Sequence, residues 1–186
     1  MKIHQWKSDV LKATGIAAVL ALSPAAAYAG MGDDDTLAVR MFEVNDEGSG
    51  ESIGTIHIQE YEDGVLFKPD LKGLEPGLHG FHMHENPSCD PAEKNGKMTP
   101  GAAAGGHYNP DNGGHNGPFA EGHEGDLPAL YVDEDGNATH DVFAPRLDDD
   151  DLKGHALMIH ADGDNYSDQP KPLGGGGDRV ACGVIK

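Results

Sequence analysis

Gly77-Leu78-His79-Gly80-Phe81-His82-Met83-His84 is the stretch on which the reading of this 186-residue chain turns. Its alternation predicts a β-strand, in which side chains two apart share a face. His82 and His84 then point to one side, while Phe81 and Met83 form the core side. Two imidazoles on one face can hold a metal ion, but a His-x-His match alone is a weak sign. It becomes a strong one when further ligands follow downstream, and here they do.

Short alternating runs surround that strand. Residues 36–44 alternate at Leu37, Val39 and Met41, Ile56 and Ile58 mark a second strand, and Val65-Leu66-Phe67 starts a third that Pro69 ends. Residues 78–85 make the fourth; 129–133, 138–143, 155–160 and 179–185 supply four more. Asn45-Asp46-Glu47-Gly48, Glu62-Asp63-Gly64 and the hairpin-type run from Asp133 to Asn137 punctuate them. Eight short strands without an amphipathic helix predict an all-β domain, an eight-stranded antiparallel Greek-key barrel or sandwich. Residues 174–177 are four glycines, read as a flexible loop entering the last strand; no Gly-Lys-Ser/Thr follows to make a phosphate cradle.

The first 29 residues stand apart. Lys2, Lys7 and Lys12, a short apolar run over 13–22 and the small residues Ala27-Tyr28-Ala29 read as a secretory signal peptide cut after Ala29. The apolar run is shorter than the roughly 20 residues a membrane span needs. The expected mature domain is residues 30–186. Removing three lysines and Asp9 changes 13 Lys+Arg against 32 Asp+Glu into 10 against 31, a net charge of −21. Such a chain is a poor partner for nucleic acid or an anionic membrane. Its two cysteines, Cys89 and Cys182, read as a disulfide in an oxidising compartment.

Residues 86–126 form a connection of about 40 residues with almost no periodicity, far beyond usual loop lengths, so something else must order it. The loop carries His107, His115, His123 and Asp126, each beside glycine. Three imidazoles and a carboxylate make a closed tetrahedral set for zinc. His82 and His84, joined by His160 at the end of a predicted strand, form a second set without thiolate or thioether; this suits copper, nickel or zinc, with Cu(II) first in affinity. Met83 and Met158 lie in apolar runs and read as core. A zinc hydrolase would need an open zinc position, and no His-Glu-x-x-His is present.

Gly80-Phe81-His82-Met83-His84-Glu85, Gly106-His107-Tyr108-Asn109-Pro110, His123-Glu124-Gly125-Asp126-Leu127 and Gly177-Asp178-Arg179-Val180-Ala181-Cys182-Gly183-Val184-Ile185 together resemble copper/zinc superoxide dismutase, over residues 36–186. The leader, the insert at 91–98 and the glycine run resemble its bacterial periplasmic branch. The resemblance implies one copper and one zinc ion per subunit, superoxide as substrate, a periplasmic location and either a monomer or a homodimer. It assigns His82, His84, His107 and His160 to copper, and His107, His115, His123 and Asp126 to zinc. His107 is then a shared bridge, whereas spacing alone groups it with zinc only. Asp164 resembles the carboxylate linking a copper histidine to a zinc histidine; by itself it reads as a turn residue. Arg179 resembles the arginine at the copper mouth, suited to docking a small anion. Lys94 and Lys97 are expected to add steering charge, His79 to have a structural hydrogen-bonding role, and His57, His140 and His155 to lie on the surface or be satisfied locally.

Overall fold

Asn45 shows how local chemistry sets the first pairing. Its side-chain oxygen accepts from the Glu47 and Gly48 amides at 2.8 and 3.0 Å, closing the turn between strands β1 (Leu37–Asn45) and β2 (Gly48–Tyr61). Residues 36–186 are described in this computed structural model. The expected leader and the cut after Ala29 lie outside them. The remaining strands are β3 (Gly64–Lys72), β4 (Gly77–His79), β5 (Phe81–His84), β6 (Ala92–Lys94), β7 (Lys97–Thr99), β8 (Leu130–Val132), β9 (Asn137–Ala138), β10 (Val142–Ala144), β11 (Ala156–His160) and β12 (Arg179–Val184).

The main sheet is antiparallel and eight-stranded, ordered β10-β3-β2-β1-β12-β11-β5, with β9 also paired to β3. Alternate residues of its strands, including Val39, Met41, Ile56, Ile58, Val65 and Phe67, fill one core. The sheet curls until strands near its two ends meet: Phe67 on β3 and Phe81 on β5 pack edge to face, 5.6 Å between ring centres. Closure comes through β4, which pairs with β8, while a turn with Asp133 N–H donating to Asn137 O carries β8 into β9 and so to β3. The all-β barrel expected from the alternation is present.

The structure corrects four details. The strand expected over 78–85 is broken at Gly80, whose N–H donates to Asp162 O and whose carbonyl accepts from His160 N–H, so β4 and β5 enter different ladders. β3 runs through Pro69 rather than ending there. Beyond β2, β3 pairs with β10 only at residues 65–67 and with β9 only at 71–72, which leaves 68–70 without a second ladder and spares proline's missing donor. Residues expected as one strand over 138–143 divide between β9 and β10. The long loop contains a hairpin, β6–β7, whose turn residues Asn95 and Gly96 adopt φ of 56° and 78°. Asn-Gly is a strong hairpin signal, and it was legible in the sequence.

Cys89 and Cys182 are bonded, with Cα atoms 5.7 Å apart. The bond ties the start of the loop to β12 over a small second core of Val44, Ala104, Ala156, Met158 and Cys182. With the cysteines 93 positions apart, replacing both by alanine is expected to lower stability by about 4–5 kcal/mol in the chain-entropy account. Urea unfolding of the metal-free protein measures this.

Candidate metal centre

His82 and His84 sit on β5, all four residues of which are buried: Phe81 and Met83 lie in the main core, and the histidines face the opposite way under the loops. β11 places Met158 opposite His82, and His160 opposite Arg179 of β12. The long loop covers the other edge of β5: Met83 N–H donates to Gly125 O, Tyr108 N–H to Met83 O, Glu85 N–H to Gly106 O and Leu127 N–H to Phe81 O. A Cβ on Gly125 would lie 2.2 Å from Met83 O, so only glycine permits this approach. The edge pairing delivers His107 and Asp126 beside the strand histidines.

Two four-residue groups result, His82, His84, His107 and His160, and His107, His115, His123 and Asp126. His107 belongs to both, which spacing could not reveal. Its ring stacks on that of His82 at 3.9 Å, while its Nδ1 lies 2.7 Å from Asp126 Oδ1. His123 Nδ1 lies 3.2 Å from the same oxygen.

Outer partners fix each ring. Asp164 accepts from His82 Nε2 at 2.6 Å and from His115 Nε2 at 2.8 Å, one oxygen each, so it links the two groups. Its Oδ1 also accepts from Tyr166 N–H, so the turn reading of Asp164 holds as well. His84 Nδ1 donates to Gly105 O and His160 Nδ1 to Gly177 O. Because carbonyls and carboxylates only accept, these rings, when neutral, present bare nitrogens on their other sides. Those atoms, His82 Nδ1, His84 Nε2, His115 Nδ1 and His160 Nε2, together with Asp126 Oδ2, are buried and without a hydrogen-bond partner. His115 Nδ1 and Asp126 Oδ2 are only 2.8 Å apart yet not aligned to bond each other. Converging lone pairs of this kind fit a cation that both would bind. The first group, all imidazole, suits Cu(II), and the second, three Nδ1 atoms and a carboxylate, suits zinc.

Proton affinities follow the same layout. Burial, then neighbouring His107, holds His84 well below its usual range; burial lowers His107 to about 4 against the opposing bond to Asp126, and burial with His82 and His107 lowers His160 to about 3. Burial also acts against charge on His115, but Asp126 and Asp164 outweigh it and raise the ring to about 9. Burial would raise both carboxylates, yet the His107 bond and the adjacent His115 ring at Asp126, and the bonds from His115 and His82 to Asp164, hold them well below the usual range. The second group draws positive charge and the first repels protons.

The family model described as copper/zinc superoxide dismutase (SODC) matches residues 52–185. The chain belongs to the copper/zinc superoxide dismutase family. It is 49% identical to the superoxide dismutase [Cu-Zn] of Haemophilus parainfluenzae over 97% of this chain and 99% of that one. The solved copper/zinc superoxide dismutase of Brucella abortus, 51% identical, superposes with a TM-score of 0.80 over 82% of this chain and all of that one. The solution structure of the monomeric copper, zinc superoxide dismutase from Salmonella enterica, 57% identical, gives 0.73 over 81% and 99%.

For a superoxide dismutase the mouth of the all-histidine group matters most. A cavity of about 600 Å³ there is lined by His84, His107, His160, Arg179, Lys94, Glu93 and Lys171, among others. Arg179 Nη2 donates to Gly105 O at 2.6 Å and its Nη1 to Gly101 O. Lys94 lines the cavity as expected; Lys97 does not, and Lys171 takes a place that sequence reading did not give it. His79 is buried, with Nδ1 2.6 Å from His160 O and Nε2 2.7 Å from Glu75 O, and His155 Nδ1 faces His84 O and Glu85 O. His57 and His140 are exposed.

The glycine run is tighter than a flexible linker. A Cβ on Gly174, at φ +71°, would stand 1.9 Å from Asp164 Oδ1 and 2.6 Å from His115 Nε2; on Gly175, at φ +73°, it would meet only the Lys171 side chain. Gly174→Ala is expected to push Asp164 off its histidines and weaken zinc binding 10- to 100-fold, the usual cost of losing such a partner. Gly175→Ala, with the same backbone strain, should leave zinc affinity near the parent value; competition with a chelator measures both.

Protonation also predicts how the metal-free protein responds to pH. His84, His107 and His160 bind protons less readily folded than unfolded, so stability falls as pH drops below 6.5, toward the 3–4 region for the last two. His115 acts oppositely, giving stability that is lost as pH rises through about 9. Chemical denaturation across pH is expected to show maximal stability near 6.5, falling on the acid side through His84, His107 and His160 and on the alkaline side, up to about 9, through His115.

Proposed function

We propose that this chain disproportionates superoxide to dioxygen and hydrogen peroxide, with copper held by His82, His84, His107 and His160, zinc held by His107, His115, His123 and Asp126, and His107 shared between them. The observation that carries the ligand sets is the group of five buried donor atoms without a protein partner. Each set closes within one chain, so one copper and one zinc ion per subunit need no second copy, in a monomer as in a homodimer. The disulfide suits an oxidising compartment. Together with the signal-like first 29 residues, it supports export and a periplasmic location.

Copper held by His82, His84, His107 and His160 would supply the one-electron couple that disproportionation needs. The protein's part is to bring the anion in, orient it and deliver a proton. Arg179, opposite His160 in the β11–β12 ladder, presents its guanidinium at the cavity with two N–H groups fixed on carbonyls, leaving its charge for the anion. His107 Nε2, the ring nitrogen turned away from Asp126, would carry one proton of the peroxide only in the half-cycle in which its lone pair is not given to copper, and water would supply the other. Asp164 keeps His82 and His115 in the tautomers that face inward.

The copper- and zinc-loaded mature chain is expected to consume superoxide rapidly. His160→Ala should lose copper and nearly all activity. Arg179→Ala should keep both metals and lower kcat/KM roughly 10-fold or more, the scale set by removing a charged binding partner. A parent that holds both metals and leaves superoxide untouched would be a metal-storage protein instead.

A further inference from the structure

Arg146 has no part in the ligand sets, and nothing in the sequence singled it out. It follows β10, between core residues Ala144 and Leu147, so its backbone is anchored in the barrel. Its Nε donates to Pro118 O at 3.1 Å, Nη1 to Gly122 O at 3.1 Å, and Nη2 to Gly117 O at 3.4 Å and to His123 O. Four carbonyls within seven residues therefore converge on one guanidinium. The close ion pairs among the described residues are all histidine–aspartate, and Arg146 joins none, although Asp111, Glu121 and Glu124 line the same cavity.

Gly117 and Pro118 are buried, Gly117 close to the Tyr166 ring, but the segment's remaining ties are local. Between 117 and 123 the backbone bonds are Ala120 N–H to Gly117 O, His123 N–H to Gly114 O and Asp126 N–H to His123 O, and Asn116 Nδ2 donates to Glu121 O, all within the loop. Phe119, its largest apolar side chain, is 75% exposed and so does not anchor it by burial. His123 stands at the end of this segment, and its own carbonyl is one of the four that Arg146 grips.

We propose that Arg146 is the positioning residue for the zinc site, a clamp that fixes the 117–123 segment to the barrel and so holds His123 in place. The proposal rests on the zinc ligand set given above. A planar fork with five donors can reach several carbonyls at once, which a lysine ammonium with three donors on a flexible stem cannot reproduce. The clamp acts on one ligand of one metal. Its loss should free zinc while leaving the copper group, carried by β5, β11 and the disulfide-tethered loop, in place.

The test uses the full chain loaded with both metals and times release of each to a chromophoric chelator. Arg146→Ala is expected to release zinc at least tenfold faster than the parent and copper at the parent rate. Arg146→Lys should fall between, and Arg40→Ala, which removes the same charge from an exposed site on β1, should match the parent. His123→Ala tests the ligand set separately: zinc held as tightly as in the parent would overturn that set whatever Arg146 does. If His123→Ala loses zinc while Arg146→Ala releases it at the parent rate, the clamp alone is overturned. Equal acceleration for both metals, with a lower Tm of metal-free Arg146→Ala, would make Arg146 a general structural residue and also overturn it. Should Arg146→Ala fail to fold, Arg146→Lys carries the decision: faster zinc release with parent copper release and parent metal-free Tm supports the clamp, and an unchanged zinc rate sinks it.

Discussion

Burying donor atoms that no protein group satisfies is the constraint on which the rest of this structure depends. Four ring nitrogens and one carboxylate oxygen are in that position. Each such atom costs roughly 1–3 kcal/mol, so five together weigh as much as the whole net stability of a typical domain, about 5–15 kcal/mol. A sequence selected only to fold would not retain them. Metal binding offsets the cost and thereby becomes part of folding. The outer partners are therefore as necessary as the ligands: Asp164 and the carbonyls of Gly105 and Gly177 turn bare nitrogens inward and prevent the rings from satisfying themselves by flipping.

A barrel can place only some of these donors. His82, His84 and His160 come from strands whose ladders fix them. The others come from a loop with little regular structure, which must be made rigid by other means. Its start is bonded to β12 through Cys89, its middle and end pair with the free edge of β5, and its far segment hangs on Arg146. A second loop closes from the opposite side, where Gly174 passes so near Asp164 that no side chain fits. Apart from the disulfide these devices act on loop backbone, so the loop histidines remain free for metal.

That division explains what was legible in the sequence. The strand histidines could be read because period-two alternation shows which residues share a face, and the barrel followed from the same alternation. Disulfide pairing needed only the count of cysteines and the compartment. The loop ligands could be listed by residue type, but their division into two groups could not, because His107 joins both through the two sides of one ring, a matter of orientation. Gly80 misled a strand boundary because its backbone partners lie on a distant element, and Pro69 because the gap in the second ladder beside it has no mark in the sequence. Arg146 and Gly174 left no pattern at all: one acts through carbonyls that every residue possesses, the other through an absent side chain. Asn95-Gly96 was the exception, a plain turn signal inside a loop read as irregular.

The chain carries a formal charge of −19 and its substrate is an anion, so the few cations must be placed without being neutralised. Arg179 is held by the Gly101 and Gly105 carbonyls rather than by a carboxylate. Burial lowers its proton affinity, but an arginine has enough in reserve to stay charged. A carboxylate partner would orient the guanidinium equally well and cancel the charge proposed to dock superoxide. Carbonyl dipoles orient it and leave the cation unpaired at the cavity, where Lys94 and Lys171 add to a local positive field against the single Glu93. The Gly105 carbonyl also accepts from His84 Nδ1, so one backbone oxygen sets both Arg179 and the His84 imidazole. The two therefore keep a common register, and a shift of the loop that moves one must move the other.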